Sequence, residues 1–159
     1  MAGQEPALDS KRAIESLLIT AARLLDETRL HEWTELFTET AEYEMLCKSK
    51  ELGGIDDYML KLPRNELVKR LELVPNYVID TAKRLHTVSN IDIELNGKSA
   101  ACRSNFVVYR TTEEGKTSLY AVGHSEDQVV ELDGRWLFQK RRVVLDTRLL
   151  AAHTHMPLQ

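Results

Sequence analysis

The sequence predicts an α+β fold in which N-terminal helices pack on a curved antiparallel sheet to make a cone. Three observations carry this prediction. Residues 85–150 read as one run of β-hairpins, punctuated by Asn96-Gly97, Glu114-Gly115 and Asp133-Gly134. Ahead of them lies an amphipathic helix, whose Ile14, Leu17, Leu18, Ala21, Leu24 and Leu25 recur at spacings of three and four. That helix carries one acid placed to face inward, Asp26. With no internal repeat, low-complexity tract or linker, the 159 residues read as a single domain, of which residues 1–8 form a loose arm.

Each element has a local reason. Asp9 or Ser10 can cap the first helix by accepting a hydrogen bond from a free N–H of its first turn. A second short helix holds Trp33, Leu36 and Phe37. Residues 41–45 suit a short strand, and Gly53-Gly54 then breaks the chain. Asn65 can cap a helix through Leu67, Val68 and Leu71, which Pro75 ends. Residues 77–84 read as an irregular connection. In residues 88–95, Ile91, Ile93 and Leu95 alternate with Asn90, Asp92 and Glu94, which is the period of a strand with one wet face. A type I′ turn at Asn96-Gly97 pairs Leu95 with Lys98, Ile93 with Ala100 and Ile91 with Cys102. A strand through residues 106–109 turns near Glu114-Gly115, and the next spans residues 118–132. The Asp133-Gly134 turn pairs Leu132 with Arg135 and Val130 with Leu137. In the last strand Trp136 and Phe138 have one phase and Val143 and Leu145 the other, so a β-bulge is expected near residues 140–142.

Composition narrows the function classes. A net charge of −4 argues against a nucleic-acid partner, which needs a basic face. No apolar stretch approaches the ~20 residues that span a bilayer, and the first residues lack the basic and apolar regions of a signal peptide. A cytoplasmic location follows, with Cys47 and Cys102 as free thiols and Cys102 as a small buried hydrophobe. His31, His86, His124, His153 and His155 show no metal-ligand spacing, and no phosphate-binding loop or nucleophile elbow is present.

One catalytic constellation is available: Asp26 with His86, and with Tyr43 as a third member. A carboxylate orienting an imidazole makes a general base for dehydration, isomerisation or cyclisation. The competing reading is that Asp26 accepts hydrogen bonds from backbone or from Arg29 and orders the helix end. The Lys140-Arg141-Arg142 run lies beside Glu126 and Asp127 in the expected register, as cross-strand ion pairs or as a partner contact. Arg103, Tyr109, Arg141 and Arg142 are the interface candidates, and Asp146 can anchor the end of the last strand.

An ordered set of segments then suggests a family. It comprises Leu24-Leu-Asp-Glu, Trp33-Thr-Glu-Leu-Phe37, Tyr43, His86-Thr-Val-Ser-Asn90-Ile, Ser104-Asn-Phe-Val-Val-Tyr-Arg110, Gly134-Arg-Trp and Arg142-Val-Val-Leu-Asp146. From about residue 10 to the C-terminus the chain resembles the small (β) subunit of Rieske-type aromatic-ring-hydroxylating oxygenases. The resemblance implies a nuclear-transport-factor-2-like (cystatin-like) cone and a structural, non-catalytic role. It also implies assembly with a large (α) subunit, as three large and three small chains with the small ones forming a trimer. The Rieske iron–sulfur cluster and mononuclear iron are then expected in the large subunit, with no cofactor in this chain. The sequence agrees with that division, having neither a Cys-x-His…Cys-x-x-His pair nor a two-histidine, one-carboxylate set. The segment before His86 departs from the family in lacking a Trp between residues 76 and 84. The compact length resembles small subunits of oxygenases acting on benzoate-, salicylate-, anthranilate- or terephthalate-type acids.

Overall fold

Helix α1 (Gln4–Asp26) begins earlier than predicted, so residues 4–8, expected as a loose arm, are helical. Pro6 sits in the first turn, where its missing N–H has no partner to lose and its fixed φ suits the helix. The computed structural model describes residues 4–49, 53–76 and 80–148, together with residues 150 and 157. His153 and His155 lie outside the described residues.

The helix ends in a Schellman arrangement. Arg29 N–H donates to the Leu24 carbonyl at 2.9 Å and Thr28 N–H to Leu25 at 3.1 Å. Thr28 takes the left-handed conformation that glycine usually fills there, with φ of 55°. Helix α2 (Leu30–Thr34) is shorter than expected. Leu36 and Phe37 fall outside it because Phe138 N–H claims the Leu36 carbonyl at 2.8 Å, which starts sheet pairing at that point. Strand β1 (Phe37–Ser49) is therefore much longer than residues 41–45.

Strand β2 (Ile55–Pro63) was not predicted: only its second half alternates, with Leu60 and Leu62 half-buried against the core, and its first half carries Asp56 and Asp57. Helix α3 (Arg64–Leu73) follows with Pro63, not Asn65, at its N-cap position, and Pro75 lies in a 3₁₀ turn at Val74–Asn76. The remaining strands are β3 (Lys83–Asn96), β4 (Ser99–Thr111), β5 (Thr117–Leu132) and β6 (Arg135–Leu145). Lys83 and Arg84, expected in an irregular connection, already belong to β3. The connection's residues 77–79 lie outside the described residues.

The six strands form one curved sheet in the order β2-β1-β6-β5-β4-β3. All neighbours are antiparallel except β1 and β6, which are parallel. Helix α1 lies on β3 and reaches β6, while α3 covers β1. The apolar stripe of α1 thus meets Tyr43, Phe106, Val108, Phe138 and Val143 in one core.

Register was partly as expected. The Asp133-Gly134 turn, with φ of 50° and 76°, pairs Leu132 with Arg135 and Val130 with Leu137. At the β3–β4 hairpin the two loop residues are Gly97-Lys98, so Leu95 meets Ala100 and Ile93 meets Cys102. Only Gly97 has positive φ there (60°), as a type II′ turn requires, and the partners move by two residues without changing face. The bulge in β6 falls at Gln139: Gln128 pairs with Lys140 while Val129 pairs with Phe138. This is just before the predicted site, and it turns Arg141 onto the same face as Val143 and Leu145. Gly123 is obligatory for a different reason, since a Cβ there would sit 2.2 Å from the Val144 carbonyl oxygen.

Candidate functional site

The predicted pair at the end of α1 is real. Asp26 accepts from the backbone N–H of His86 with both carboxylate oxygens, at 3.0 and 3.1 Å. Its Oδ1 also lies 2.5 Å from His86 Nδ1. One carboxylate thereby ties the last residue of α1 to β3. The Schellman turn that follows at Thr28 reverses the chain and holds the carboxylate in place.

Chemically, a carboxylate on Nδ1 orients an imidazole as a base. Such a base needs room for a substrate, and here only 1% of the His86 side chain is accessible. Tyr43, the expected third member, is on β1, with its side chain buried in the core beneath α1. Its ring packs against Trp33 at 5.6 Å and Phe37 at 6.5 Å, in an aromatic cluster that continues to Phe138. Asp26 alone borders open space, a cleft of about 640 Å³ that Leu30, Val74, Asp80 and Arg84 also line. Two contacts close its far wall. Arg110 holds Asp80 in a two-point ion pair at 2.6 and 2.9 Å, which keeps the carboxyl below its ordinary pKa. Arg84 stacks over the Tyr120 ring at 4.8 Å.

Inside the sheet lies a polar group whose cross-strand pairing the sequence predicted but whose burial it did not. Arg141 and Asp127 are cross-strand partners with wholly buried side chains, and Arg141 Nε is 3.6 Å from Asp127 Oδ1. Arg141 also sits over the Phe138 ring at 4.4 Å. Ser125 donates to Asp127 at 3.1 Å, and Ser104 and Ser125 share a hydrogen bond of 2.9 Å. Burial pushes Asp127 up to about 6, with Arg141 and Ser125 pulling the other way. Burial likewise pushes the Cys102 thiol, beside Asp127 in the ladder, up to about 12. Arg141 was an interface candidate; having no accessible surface, it is instead an internal cation.

The outer face carries a charge row that crosses all six strands. Successive pairings run Lys61, Glu44, Arg142, Glu126, Arg103, Asp92, so the sign alternates at every step. Glu44 is held by Lys140 at 2.9 Å and Lys61 at 3.3 Å, with Arg142 Nε 3.6 Å away. Arg142 also reaches Glu126 at 3.3 Å and Asp56. Arg142 and Arg103 are therefore on the outer face, as expected, but Arg142 is already committed to acids of its own chain. At the end of β6, the Asp146 N–H donates to Val122 O at 2.9 Å and the Thr147 hydroxyl accepts from Val122 N–H, so the anchor predicted at Asp146 is made by its backbone together with Thr147.

Tyr109 is exposed on the same outer face, directly between Leu85 and Leu119. Among the described residues, no group of three His, Cys, Asp or Glu side chains gathers as a metal site. None of the described helices is long and apolar enough to cross a membrane.

Residues 6–142 match the family profile of the SnoaL-like domain. The chain belongs to that family. This SnoaL-like chain is 28% identical over 156 residues to the small oxygenase component of the p-cumate 2,3-dioxygenase system of Pseudomonas putida, covering 92% of this chain and 85% of that one. It is also 28% identical over 147 residues to the 2-aminobenzenesulfonate 2,3-dioxygenase subunit beta of an Alcaligenes species, covering 92% and 97%. Among solved structures, it overlays with a TM-score of 0.81 on a Novosphingobium aromaticivorans protein described as the beta subunit of an aromatic-ring-hydroxylating dioxygenase. That overlay covers 91% of this chain and 94% of the other at 20% identity. The fold is the nuclear-transport-factor-2-like, cystatin-like cone that the sequence predicted.

Proposed function

We propose that this SnoaL-like chain is the structural, non-catalytic small subunit of a multicomponent Rieske non-haem iron oxygenase that hydroxylates an aromatic compound. The observation that carries the proposal is the burial of the His86 imidazole that Asp26 holds. Asp26 ties α1 to β3 through the His86 backbone N–H, and the imidazole it orients has almost no accessible surface. The relatives supply the context, since both are named as small components of dioxygenases.

In this reading the chain works in the cytoplasm, with neither nucleic acid nor membrane as a partner. It holds large subunits in register, three with three, around a trimer of small subunits. The Rieske cluster and the mononuclear iron belong to the large subunit, which also selects the substrate, an aromatic acid on the family resemblance. Electrons from NADH pass through a reductase, and small displacements between large subunits reduce turnover without touching a catalytic group.

Co-expression with the neighbouring Rieske-protein gene, followed by native mass spectrometry, tests the proposal. A stable complex with equal numbers of large and small chains is expected, with the iron following the large chain. Failure to form any larger complex, or turnover of a small ketone by the isolated chain that disappears in His86→Ala, would overturn it.

A further inference from the structure

The inner face of the sheet carries a cross-strand row of Leu62, Tyr43, Arg141, Asp127, Cys102 and Ile93. At its centre stands a guanidinium with little to donate to. Nε, Nη1 and Nη2 of Arg141 are buried and make no hydrogen bond among the described residues. Asp127 Oδ1 is 3.6 Å from Nε, too far for a hydrogen bond, and has no donor of its own. The other carboxylate oxygen accepts from Ser125, which shares a hydrogen bond with Ser104. Trp33 packs its ring on Tyr43, the residue beside Arg141 in the row. Its indole N–H is likewise buried without an acceptor among the described residues.

Buried donors in folded chains almost always find an acceptor, and a charged group without one is among the costliest to bury. The imbalance here is one-sided. Arginine and tryptophan are donors only, and the unpaired acceptor beside them is a single oxygen of Asp127. Water would bring hydrogens of its own to a place already short of acceptors. An anion brings acceptors alone. The Phe138 ring covers the face of the guanidinium at 4.4 Å, which leaves its edge as the direction of approach. That edge, with Nη1 and Nη2 in one plane, is the fork that takes the two oxygens of a carboxylate.

We propose that Arg141 holds a small monovalent anion, of the size of formate or a halide, inside the cone along its Nη1–Nη2 edge. The site lies in the core of this chain alone and does not depend on the small-subunit reading. The Arg141 side chain has no accessible surface, so large anions are excluded and a small one enters as the chain folds or when the core opens. Asp127 makes the binding depend on pH. Ionised, it neutralises Arg141 and repels the anion; protonated, it leaves the guanidinium in need of a counter-charge. Burial places that protonation at about 6. The other groups around Asp127 are Tyr43 beyond Arg141 on β1, Cys102 on β4, whose thiol is pushed up to about 12, and Ser125 and Glu126 of its own strand. The buried side chains of α1 from Ile14 to Leu25 are all apolar. Anion binding therefore takes up a proton and strengthens on acidification.

The test compares urea midpoints of the full chain, refolded in sodium formate or in sodium gluconate at equal concentration. Both anions are monovalent carboxylates, and only formate is small enough for the site. In the wild type, formate should raise the midpoint above that in gluconate at mildly acidic pH, and by less at neutral pH. Asp127→Asn keeps the shape of the carboxylate without its charge, so its formate effect should be undiminished at neutral pH. The double variant Asp127→Ala, Arg141→Met should show no formate effect, with circular dichroism checking that it is folded. Crystals of the wild type grown at mildly acidic pH in sodium bromide give the direct view, and a bromine anomalous peak within hydrogen-bond reach of Arg141 is expected. Equal wild-type midpoints in formate and gluconate at mildly acidic pH would overturn the proposal. So would a formate effect that survives in the double variant, or a bromide crystal with only ordered water beside Arg141.

Discussion

Arg141 and Arg142 are neighbours in β6, and their cross-strand partners Asp127 and Glu126 are neighbours in β5. The two ion pairs are nonetheless governed by different physics. Arg142–Glu126 lies on the outer face, part-exposed and shared among several acids, so water and neighbouring charges can replace whatever is lost. Arg141–Asp127 lies on the inner face with no accessible side-chain surface, where the guanidinium and the carboxylate have each other, a serine chain and an aromatic ring. The same residue types are a solubilising surface on one side of a strand and a high-stakes core element on the other.

The largest consequence concerns the inner pair. Asp127→Ala leaves buried Arg141 and Ser125 with no carboxyl group, charged or protonated, to face, and urea denaturation should show a loss of about 3–5 kcal/mol. Adding Arg141→Met to that variant should restore most of the loss, because two apolar side chains need no mutual compensation. If the single variant is as stable as the wild type, the inner pair is no different from the outer one.

Asp26 comes next. Asp26→Ala leaves the backbone N–H of His86 and its Nδ1 without their acceptor, at a cost of about 2–3 kcal/mol. A fall in melting temperature is the expected readout. Unchanged stability would mean that the carboxylate does not anchor α1 to β3.

The two faces should also respond to acid in opposite directions. Asp127 titrates at about 6 when folded, against an ordinary 3.8, so the folded protein binds its proton more tightly than the unfolded chain does. Its contribution to stability therefore rises as pH falls from 7 through 6 towards 4. Glu44 behaves the other way. Burial pushes its pKa up, but hydrogen bonds from Lys140 and Lys61 outweigh that and leave it below the ordinary value. Its contribution is complete above the ordinary carboxylate range and is lost as pH falls through its folded pKa. Comparing urea midpoints at neutral and mildly acidic pH in wild type and Asp127→Asn isolates the inner term. The wild type should gain relative to the variant on acidification, and parallel curves would contradict the assignment.

The smallest effect belongs to the outer row. Glu126→Gln should cost no more than about 1 kcal/mol and less in high salt. A larger, salt-insensitive loss would show that the row acts as a buried network.

How much of this was legible in the chain depended on whether a local signal existed. The glycine turns announced the hairpins, and only the choice between Asn96-Gly97 and Gly97-Lys98 was missed, because both place a glycine where φ must be positive. Strand β2 gave only a weak signal, since Asp56 and Asp57 interrupt its apolar residues and its inward alternation is confined to Leu60 and Leu62. Without β2, the Lys61 end of the charge row had no place to stand. The Asp26–His86 pair was readable because an acid at the inner end of an amphipathic stripe must find a donor. The face of Arg141 was not, because a bulge placed one or two residues too late leaves its phase open. The place of Tyr43 in the core depends on the parallel β1–β6 pairing, for which a sequence holds no turn signal.

The central claim is that Asp26 and the buried His86 build a scaffold and take no part in chemistry. It is tested most directly by hydroxylation turnover per assembled oxygenase, with His86→Gln in the small subunit. Turnover equal to that of the wild-type assembly is predicted. A fall of about 10²–10⁴-fold in fully assembled complex, the scale lost with a general base, would contradict it.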